Sequence, residues 1–421
     1  MNLYKSLKAF FYPLSSKRSK KLARYSADFS YLVSPRRSEI SEPRLNLVIP
    51  TINQELAFGG INTILQFWNA ISGFYKNIRI VVMQEHSPST FTNYSQYKFV
   101  SPEEDINYPR QIVSLVKNSG DSLPVGAEDI FIATFWTTAH LAQRLALWQS
   151  QEFNQPIKPI IYMIQDFEPA FYPWSSKYVL ALSTYEYENP VVAIFNTKLL
   201  QEYFHLHNYA FDYEYSFEPT LNKALLDKLS KLQSSRKSKQ ILIYGRPSIA
   251  RNAFSMILES IRIWQERFPE AGDWEVLSAG ESHPDIPIKD KLVIKSLGKL
   301  SMEEYALTLA NAAIGLSLMV SPHPSYPPLE MAHFGMWVIT NNFENKNLSL
   351  CHENIISVPG ASRCFSPEDI ASQLTLLCQR VTEAPNAGWS GKSYLDHYLS
   401  DQSPFPFVTD IYEIIKVGHT L

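Results

Sequence analysis

Short apolar runs rich in β-branched residues recur along the chain in two series, and segments with helical spacing separate them. The first series lies at 45–50, 78–84, 129–135, 159–166 and 191–196. The second lies at 240–245, 274–280, 291–298, 312–319 and 336–340. Apolar strands that alternate with amphipathic helices indicate a parallel sheet covered on both faces. The sequence therefore predicts an α/β protein of two doubly wound units in tandem.

The length of 421 residues suits two domains of this kind. Residues 206 to about 238 interrupt the alternation, and we interpret them as a linker around one helix. We place an N-terminal domain with a basic arm at 1–215 and a C-terminal domain at 216–404. Residues 405–421 are predicted to form a helix that crosses back to the N-terminal domain.

Composition excludes several classes of protein. A formal net charge of −3 argues against a dedicated nucleic-acid binder. The cysteines, Cys351, Cys364 and Cys378, form no CxxC motif, which fits a reducing compartment and favours neither a disulfide framework nor structural zinc. No run approaches the ~18 consecutive apolar residues that a membrane span needs. We therefore expect a cytoplasmic protein.

The N-terminal segment is basic, because seven Lys and Arg residues precede the first acidic residue, Asp28. Phe10, Phe11 and Tyr12 lie among them. This composition fits a solvated arm packed loosely on its own domain, and it also fits peripheral contact with an anionic membrane surface. Both interpretations remain open.

Several catalytic and binding motifs are absent from the sequence. The chain has no GxxxxGK[ST] loop, no GxGxxG fingerprint, no HExxH motif and no GxSxG elbow. It also lacks an Asp-x-Asp pair of the kind that holds a divalent metal against a diphosphate. We expect a ligand that is handled without a metal ion, a cofactor or a covalent nucleophile.

Two arginines lie in the stretch IYGRPSIARN (243–252). Gly245 ends a predicted strand, Arg246 leaves it, and Arg251 precedes the next predicted helix. Two guanidinium groups near helix N–H groups can form a metal-free clamp for a diphosphate. A pair of surface salt bridges is the alternative. We favour the clamp, because both arginines fall at the edge of the sheet where ligands bind.

Lys299 stands at the carboxyl end of the predicted strand 291–298. Ser301 follows as a predicted helix N-cap, with Glu304 at the third helical position. Lys299 either adds a third positive charge to the same anion or is an exposed lysine beside a cap.

A proline-rich loop precedes another predicted helix in SPHPSYPPLEMAHFG (321–335). We expect this helix to begin near Leu329, directly after Pro327 and Pro328. Its amino end favours negative charge, and the carboxylate of Glu330 can accept two hydroxyl groups of a ribose. Tyr326 can reach the ligand from the loop. An ordinary first-turn glutamate is the alternative for Glu330.

The N-terminal half offers residues suited to a sugar. Gly59 and Gly60 open a predicted helix, and paired glycines let N–H groups approach an oxyanion closely; a plain flexible loop is the alternative. Asp166 and Glu168 follow the predicted strand 159–166. Flat apolar faces, which serve either sugar stacking or core packing, come from Trp136, Phe171, Tyr172 and Trp174.

Taken together, these segments resemble the GT-B glycosyltransferases of the retaining family 4 type, most specifically from Gly245 to Thr340. The resemblance is carried by the GR-x4-R stretch, by LGKLSMEEYALTLANAAIGLSL and by PPLEMAHFGMWVIT, which is similar to half of the family's Glu-x7-Glu motif. QDFEP followed by FYPW is similar to the bacterial rhamnosyltransferases that extend S-layer glycoprotein (rhamnan) glycans from dTDP-rhamnose.

The resemblance implies two Rossmann-like domains that face a central cleft, with the acceptor on the N-terminal domain and the nucleotide sugar on the C-terminal domain. It implies retaining, metal-independent transfer of L-rhamnose from dTDP-L-rhamnose to a growing surface glycan that is expected to be lipid-linked. A non-catalytic glycan-binding homologue and a sugar-nucleotide epimerase remain alternatives.

The resemblance also implies roles for single residues. The donor site would consist of Gly59, Gly60, Arg246, Arg251, Lys299, Tyr326, Leu329 and Glu330. The acceptor site would consist of Trp136, Asp166, Glu168, Phe171 and Tyr172. The catalytic roles would fall to Arg246, Lys299 and Asp166. The chain departs from the family in three places: Pro322 replaces the motif's first glutamate, Gln165 replaces a histidine, and Arg251 replaces a lysine.

Overall fold

The computed structural model describes residues 33–52, 59–83, 94–115, 122–289, 292–359 and 365–417. The chain divides into two compact units. The first consists of Met1–Asn196, Phe204–Phe217 and Phe405–Leu421, and the second of Thr197–Tyr203 and Glu218–Pro404. The predicted basic arm and Cys364 lie outside the described residues.

The first unit is built on a parallel sheet. Its strands are, in chain order, β1 (Ser34–Arg37), β2 (Arg44–Ile49), β3 (Asn77–Val82), β4 (Lys98–Val100), β5 (Arg110–Ser114), β6 (Ser122–Val125), β7 (Asp129–Ala133), β8 (Ile160–Ile164), β9 (Val191–Asn196) and β10 (Tyr213–Phe217). β1 pairs with β6, and the others form one sheet in the order β10-β9-β8-β7-β2-β3-β5-β4. β2, β3 and β9 are buried along their whole length, as expected of strands covered on both faces.

The second unit is built on a seven-stranded sheet. Its strands are β11 (Ser238–Gly245), β12 (Glu275–Gly280), β13 (Ile286–Lys289), β14 (Leu292–Gly298), β15 (Ala312–Leu316), β16 (Trp337–Asn341) and β17 (Ile355–Val358). They lie in the order β13-β14-β12-β11-β15-β16-β17, and all pairs are parallel except the edge pair β13–β14.

Helices cover both sheets. In the described part of the chain they are α1 (Gly59–Ile71), α2 (Trp136–Phe153), α3 (Ser176–Ser183), α4 (Lys198–Leu206), α5 (Lys223–Leu232), α6 (Phe254–Arg267), α7 (Met302–Asn311), α8 (Tyr326–His333), α9 (Pro367–Glu383) and α10 (Val408–Val417). Each apolar run of the sequence contains a strand of the structure, so the prediction of two doubly wound α/β units is confirmed.

The core of the first unit explains where the C-terminal helix lies. Phe67 of α1 meets Phe405 edge to face at 5.4 Å between ring centroids, and Phe74 stacks on Tyr412 of α10 at 4.9 Å. Ile411 of α10 is fully buried in the same apolar cluster as the sheet. Because burial of each large apolar side chain contributes about 1.5–3 kcal/mol, this packing holds α10 on the first unit.

The segment from 206 to about 238 was predicted to be a linker around one helix, and this is wrong in part. The helix is present as α5, but β10 precedes it and pairs in parallel with β9. β10 is an edge strand of sequence YEYSF whose residues are mostly half-buried, so it lacks the apolar run that identifies a central strand. Other strands that the sequence did not predict include the edge strands β4, β13 and β17, whereas β5 is an internal strand of five residues.

A buried ion cluster closes the amino ends of the central strands of the first unit. Arg44 donates from Nε and Nη2 to the two carboxylate oxygens of Asp129 at 2.9 and 2.8 Å. Arg79 donates to the same carboxylate at 3.4 Å and to Asn46 Oδ1 at 2.7 Å. All three charged side chains are buried, so one carboxylate compensates two guanidinium groups out of contact with water.

Candidate functional site

Each sheet has a point at which the strand order reverses. In the second unit the chain begins at β11, continues through β12 to β14 on one side, and then crosses to β15 on the other side. In the first unit β2 is followed by β3 to β5, and β7 then begins the other side. Ligands of open α/β sheets bind at such switch points, beyond the carboxyl ends of the strands. The predicted site residues lie on the loops and helix starts at these two edges.

Arg246 follows β11 directly at the switch point of the second unit. Burial raises the pKa of the Tyr244 hydroxyl, and the nearby Arg246 guanidinium lowers it in part. The nearby carboxylate of Glu330 raises that pKa further. The fold thus brings Arg246 and Glu330, which are distant in sequence, to the same tyrosine.

Glycines allow the loop that carries Arg246 to lie close to the neighbouring strand. A Cβ at Gly245 would lie 2.0 Å from Ser278 Oγ. Gly280, whose φ is +139°, leaves no room for a Cβ either, because that atom would lie 2.8 Å from the Gly245 carbonyl oxygen. That carbonyl accepts a hydrogen bond from the Glu281 N–H at 2.8 Å. These contacts fix the direction in which Arg246 leaves the sheet.

Arg251 lies in a short 3₁₀ turn, Ala250–Asn252, immediately before α6. The Arg251 carbonyl accepts from the Val320 N–H at 2.8 Å, and Asn252 Nδ2 donates to the Leu318 carbonyl at 3.1 Å. Val320 and Leu318 follow β15. The turn that carries Arg251 is therefore held against the strand on the other side of the switch point.

Lys299 is exposed and follows β14, two strands away from β11 along the same edge. The predicted cap beside it is confirmed: Ser301 Oγ accepts from the Glu304 N–H at 3.2 Å, and Glu304 Oε2 accepts from the Ser301 N–H at 3.0 Å. The structure thus places Lys299 on the predicted edge, and a role toward an anion stays a prediction.

The helix expected to begin near Leu329 begins instead at Tyr326, so that start was predicted three residues too late. Pro327 and Pro328 fit inside the first turn because N–H groups there have no partner within the helix. Of the first three helical positions, Tyr326 carries an N–H group, whereas Pro327 and Pro328 have none. The Leu329 side chain is 1% exposed and packs in the core. Ser325 precedes the helix at φ +68°, a costly conformation for a residue other than glycine.

Glu330 is half-buried and accepts a hydrogen bond on Oε2 from the Tyr305 hydroxyl of α7, at 2.9 Å. Burial raises the pKa of Glu330 to about 7, although the Tyr305 bond lowers it. Burial also raises the pKa of Tyr398 well above its ordinary value, and the charges of Glu330 and Tyr326 add to this. We call Tyr244, Tyr305 and Tyr398 the tyrosine cluster around Glu330. The sequence alone gave no signal for it.

In the first unit, Gly59 and Gly60 at the start of α1 lie near the carboxyl end of β8. Gln165 Nε2 donates to the Gly60 carbonyl at 3.2 Å, and a Cβ at Gly60 would lie 2.4 Å from Gln165 Oε1. Gly59 is the first residue of α1. Asp166, next to Gln165, accepts the Phe167 N–H on Oδ1 at 2.8 Å and is half-buried. Gly59, Gly60 and Asp166 therefore share one edge of the sheet, and their roles toward a transferred sugar and an acceptor stay predictions.

Glu168 and Trp136 have structural roles in this arrangement. Glu168 is 1% exposed, and its Oε2 accepts from the Trp136 N–H at the start of α2 at 2.5 Å and from the Tyr162 hydroxyl at 3.2 Å. The Trp136 ring is 2% exposed and donates from Nε1 to the Tyr172 hydroxyl at 2.9 Å. Their direct contact with an acceptor stays a prediction. Phe171 and Tyr172 are half-buried, and Trp174 is 92% exposed.

Two kinds of feature are absent from the described ranges. No group of three or more His, Cys, Asp or Glu side chains there is placed to hold a metal ion. No helix there has the length and apolar character needed to cross a membrane.

The fold is shared with sugar-handling enzymes of known structure. A sucrose-phosphate synthase from Thermosynechococcus elongatus superposes with a TM-score of 0.52 at 11% identity, over 89% of this chain and 100% of that one. An E. coli structure described as trehalose-6-phosphate bound with UDP-2-fluoro glucose superposes with a TM-score of 0.53 at 11% identity, over 89% and 99% of the two chains. The predicted fold class is thereby confirmed: the chain has the GT-B fold of two Rossmann-like domains.

Two family models together match more than half of the chain. Residues 44–198 match the family model "WsaF, N-terminal domain", and residues 239–375 match "WsaF, C-terminal domain". The chain therefore carries both domains of the WsaF family, in that order. The O-antigen biosynthesis protein RfbC of Myxococcus xanthus is 28% identical over 243 residues, which is 57% of this chain but 18% of that protein. The matched region thus spans less than a fifth of the length of this relative.

Proposed function

We propose that the protein transfers L-rhamnose from dTDP-L-rhamnose to a growing rhamnose-containing surface glycan, with retention of configuration and without a metal ion. The observation that carries the proposal is that Arg246 follows β11 at the switch point of the second unit, while Glu330 is close enough to Tyr244, two residues before Arg246, for both charges to act on its pKa. A cation and a hydroxyl-accepting carboxyl group at one sheet edge suit a nucleoside diphosphate. The two WsaF domain models and the O-antigen relative support a role in glycan assembly.

In this proposal the second unit holds the donor. Arg246 and Arg251 bind the diphosphate, Lys299 adds positive charge, and the nucleoside sugar contacts Glu330. Tyr326 and Leu329 line the site at the amino end of α8, an end that favours negative charge. Positive side chains that stabilise the departing diphosphate lower the barrier, because charge develops there in the transition state.

The reaction has a simple balance of bonds. The acceptor hydroxyl oxygen attacks the anomeric carbon of rhamnose on the face that the diphosphate leaves, and the bond between that carbon and the phosphate oxygen breaks. The acceptor proton passes to an oxygen of the departing phosphate. Asp166 orients the acceptor, and the N–H groups at Gly59 and Gly60 face the transferred sugar.

The acceptor is proposed to lie on the first unit. Trp174 offers a widely exposed ring next to Phe171 and Tyr172, and sugars stack on such flat faces. A lipid-linked acceptor and contact of the basic arm with the cytoplasmic face of the membrane complete the proposal.

The test is a transfer assay with dTDP-L-rhamnose and a synthetic oligorhamnoside, read by mass spectrometry and by release of dTDP. We expect a product one deoxyhexose heavier, formed at the same rate with and without EDTA. Binding of oligorhamnose without any dTDP release would instead indicate a glycan-binding homologue. Pro322, which stands at the position of the family's first glutamate, is the residue that favours this alternative. Conversion of the donor sugar without transfer would indicate an epimerase.

A further inference from the structure

One glutamate holds the loop between β11 and α6 at two points. Glu281, the residue directly after β12, accepts on Oε2 from the Ser248 N–H at 3.1 Å and from the Ser248 hydroxyl at 2.8 Å. Its own N–H donates to the Gly245 carbonyl at 2.8 Å, where β11 ends. Ser248 lies between Arg246 and Arg251 in the sequence. The side chain of Glu281 therefore binds the middle of the loop that carries both arginines.

The middle of this loop is a β-turn. The Ile249 N–H donates to the Arg246 carbonyl at 3.1 Å, so Pro247 and Ser248 are the two central residues of the turn. The end of the loop is held separately, because the Arg251 carbonyl accepts from the Val320 N–H at 2.8 Å. Loss of the Glu281 carboxylate would thus release the turn while both ends of the loop stay attached to the sheet.

The charge of Glu281 does not favour an anion. The hydrogen bonds from Ser248 lower the pKa of Glu281 below its ordinary value, and the charges of Arg246 and His283 lower it further. The side chain is therefore an ionised carboxylate at neutral pH. A negative charge close to Arg246 opposes the binding of a diphosphate there. Attraction for the ligand cannot explain this glutamate, whereas its hydrogen bonds to the turn can.

We propose that Glu281 is a positioning residue for the donor diphosphate, because its carboxylate holds the loop of Arg246 and Arg251, through Ser248, in the conformation that binds the phosphates. The inference rests on the proposed function, in which the two arginines bind the diphosphate. A loop that already has its binding conformation need not be ordered when the nucleotide binds, and this raises the affinity.

Two substitutions separate the hydrogen bonds of Glu281 from its charge. Glu281→Ala removes the acceptor and should raise both the Kd for dTDP and the KM for dTDP-rhamnose about tenfold, because a smaller fraction of molecules has the competent loop. The kcat should be unchanged, since the bound diphosphate restores the same conformation. Glu281→Gln keeps an oxygen that accepts from Ser248 and should return both constants to the wild-type values or below them. Calorimetry and initial-rate kinetics measure these constants.

A double-mutant cycle tests whether Glu281 acts through Ser248. Ser248→Ala removes the hydroxyl donor and should raise the Kd for dTDP about threefold, as expected for one lost hydrogen bond of two. In the Glu281→Ala background the same change should have no further effect.

Glu353→Ala is the matched control. Glu353 also accepts from a backbone N–H and a hydroxyl, those of Lys392 at 3.0 Å and Tyr394 at 3.2 Å, but it precedes β17 at the amino end of the strand. This substitution should leave Kd and KM unchanged.

The outcomes separate this inference from the proposed function. If Arg246→Ala impairs transfer but Glu281→Ala binds dTDP as the wild-type protein does, positioning by Glu281 is refuted and the function stands. A fall in kcat at constant KM, additive effects in the cycle, or a Glu281→Gln protein as weak as Glu281→Ala refutes it as well. If the wild-type protein does not bind dTDP, the proposed function fails together with the inference. Should Glu281→Ala not fold, wild-type affinity in Ser248→Ala still refutes the inference.

Discussion

The pH dependence of donor binding tests whether Glu330 contacts the nucleoside sugar. Burial raises the pKa of Glu330 to about 7 in the unliganded protein, and only the ionised carboxylate is a full acceptor for a donor hydroxyl. Because that pKa is raised, the ionised fraction falls as the pH falls through 7, from about nine tenths at pH 8 to about one tenth at pH 6. The affinity for dTDP-rhamnose should therefore weaken about tenfold between pH 8 and pH 6, and binding at pH 7 should release about half a proton.

Calorimetry in two buffers of different ionisation enthalpy measures both quantities. The ligand should be dTDP-rhamnose rather than dTDP, since a diphosphate esterified at both ends has no ionisation near neutral pH, whereas a terminal phosphate has one near 6. Glu330→Gln should bind more weakly at pH 8, with a flat pH profile and no proton release. An equally steep profile in Glu330→Gln, or a flat one in the wild-type protein, would refute the contact.

The same shift has a defined effect on folding. Because the folded pKa of Glu330 lies above its ordinary value of 4.5, its contribution to stability is present below about pH 4.5 and is lost as the pH rises through about 7. The free energy of unfolding of the wild-type protein should therefore fall relative to that of Glu330→Gln over this interval. Urea titrations of both proteins across the interval measure the difference.

Two further predictions concern charged groups. Arg246→Ala should lower kcat/KM for rhamnosyl transfer by about 10²–10³-fold, because it removes a preorganised contact to charge that develops in the transition state. Arg262→Ala, which removes an exposed arginine of α6, is the control and should leave kcat/KM unchanged. Transfer by Arg246→Ala at the wild-type rate would contradict the diphosphate clamp. Asp129→Ala leaves the buried guanidinium groups of Arg44 and Arg79 uncompensated and should lower the free energy of unfolding by about 3–5 kcal/mol in urea titrations, and a loss below about 1 kcal/mol would show that the cluster is already solvated.

Several features of the site were accessible from sequence because they depend on local order along the chain. Arg246 follows a strand and Lys299 follows another, and the carboxyl ends of parallel strands always meet at one edge. The helix cap at Ser301 was equally predictable from sequence, since Ser301 and Glu304 lie within one helical turn of each other. Trp136 and Glu168 were the harder cases. Their residue types suit a sugar site, but burial and the hydrogen bond between them give both a structural explanation.

The partners of the site residues were not accessible from sequence. Nothing along the chain connects Tyr305 with Glu330, or Gln165 with Gly60, because each pair joins different elements whose side chains meet only after the sheet has formed. The start of α8 was misplaced for a related reason: prolines end helices by their chemistry, but they are accepted in a first turn whose N–H groups need no helical partner.

The alternation of apolar runs and amphipathic segments by itself determined two parallel sheets with helices on both faces, since the burial of apolar strands admits few other arrangements. It also determined which loops reach the ligand-binding edges. Tertiary packing alone decided the chemical state of the site. The burial of Glu330 beside Tyr305 sets its pKa and its remaining hydrogen-bonding capacity, and burial depends on atoms that the whole fold brings together.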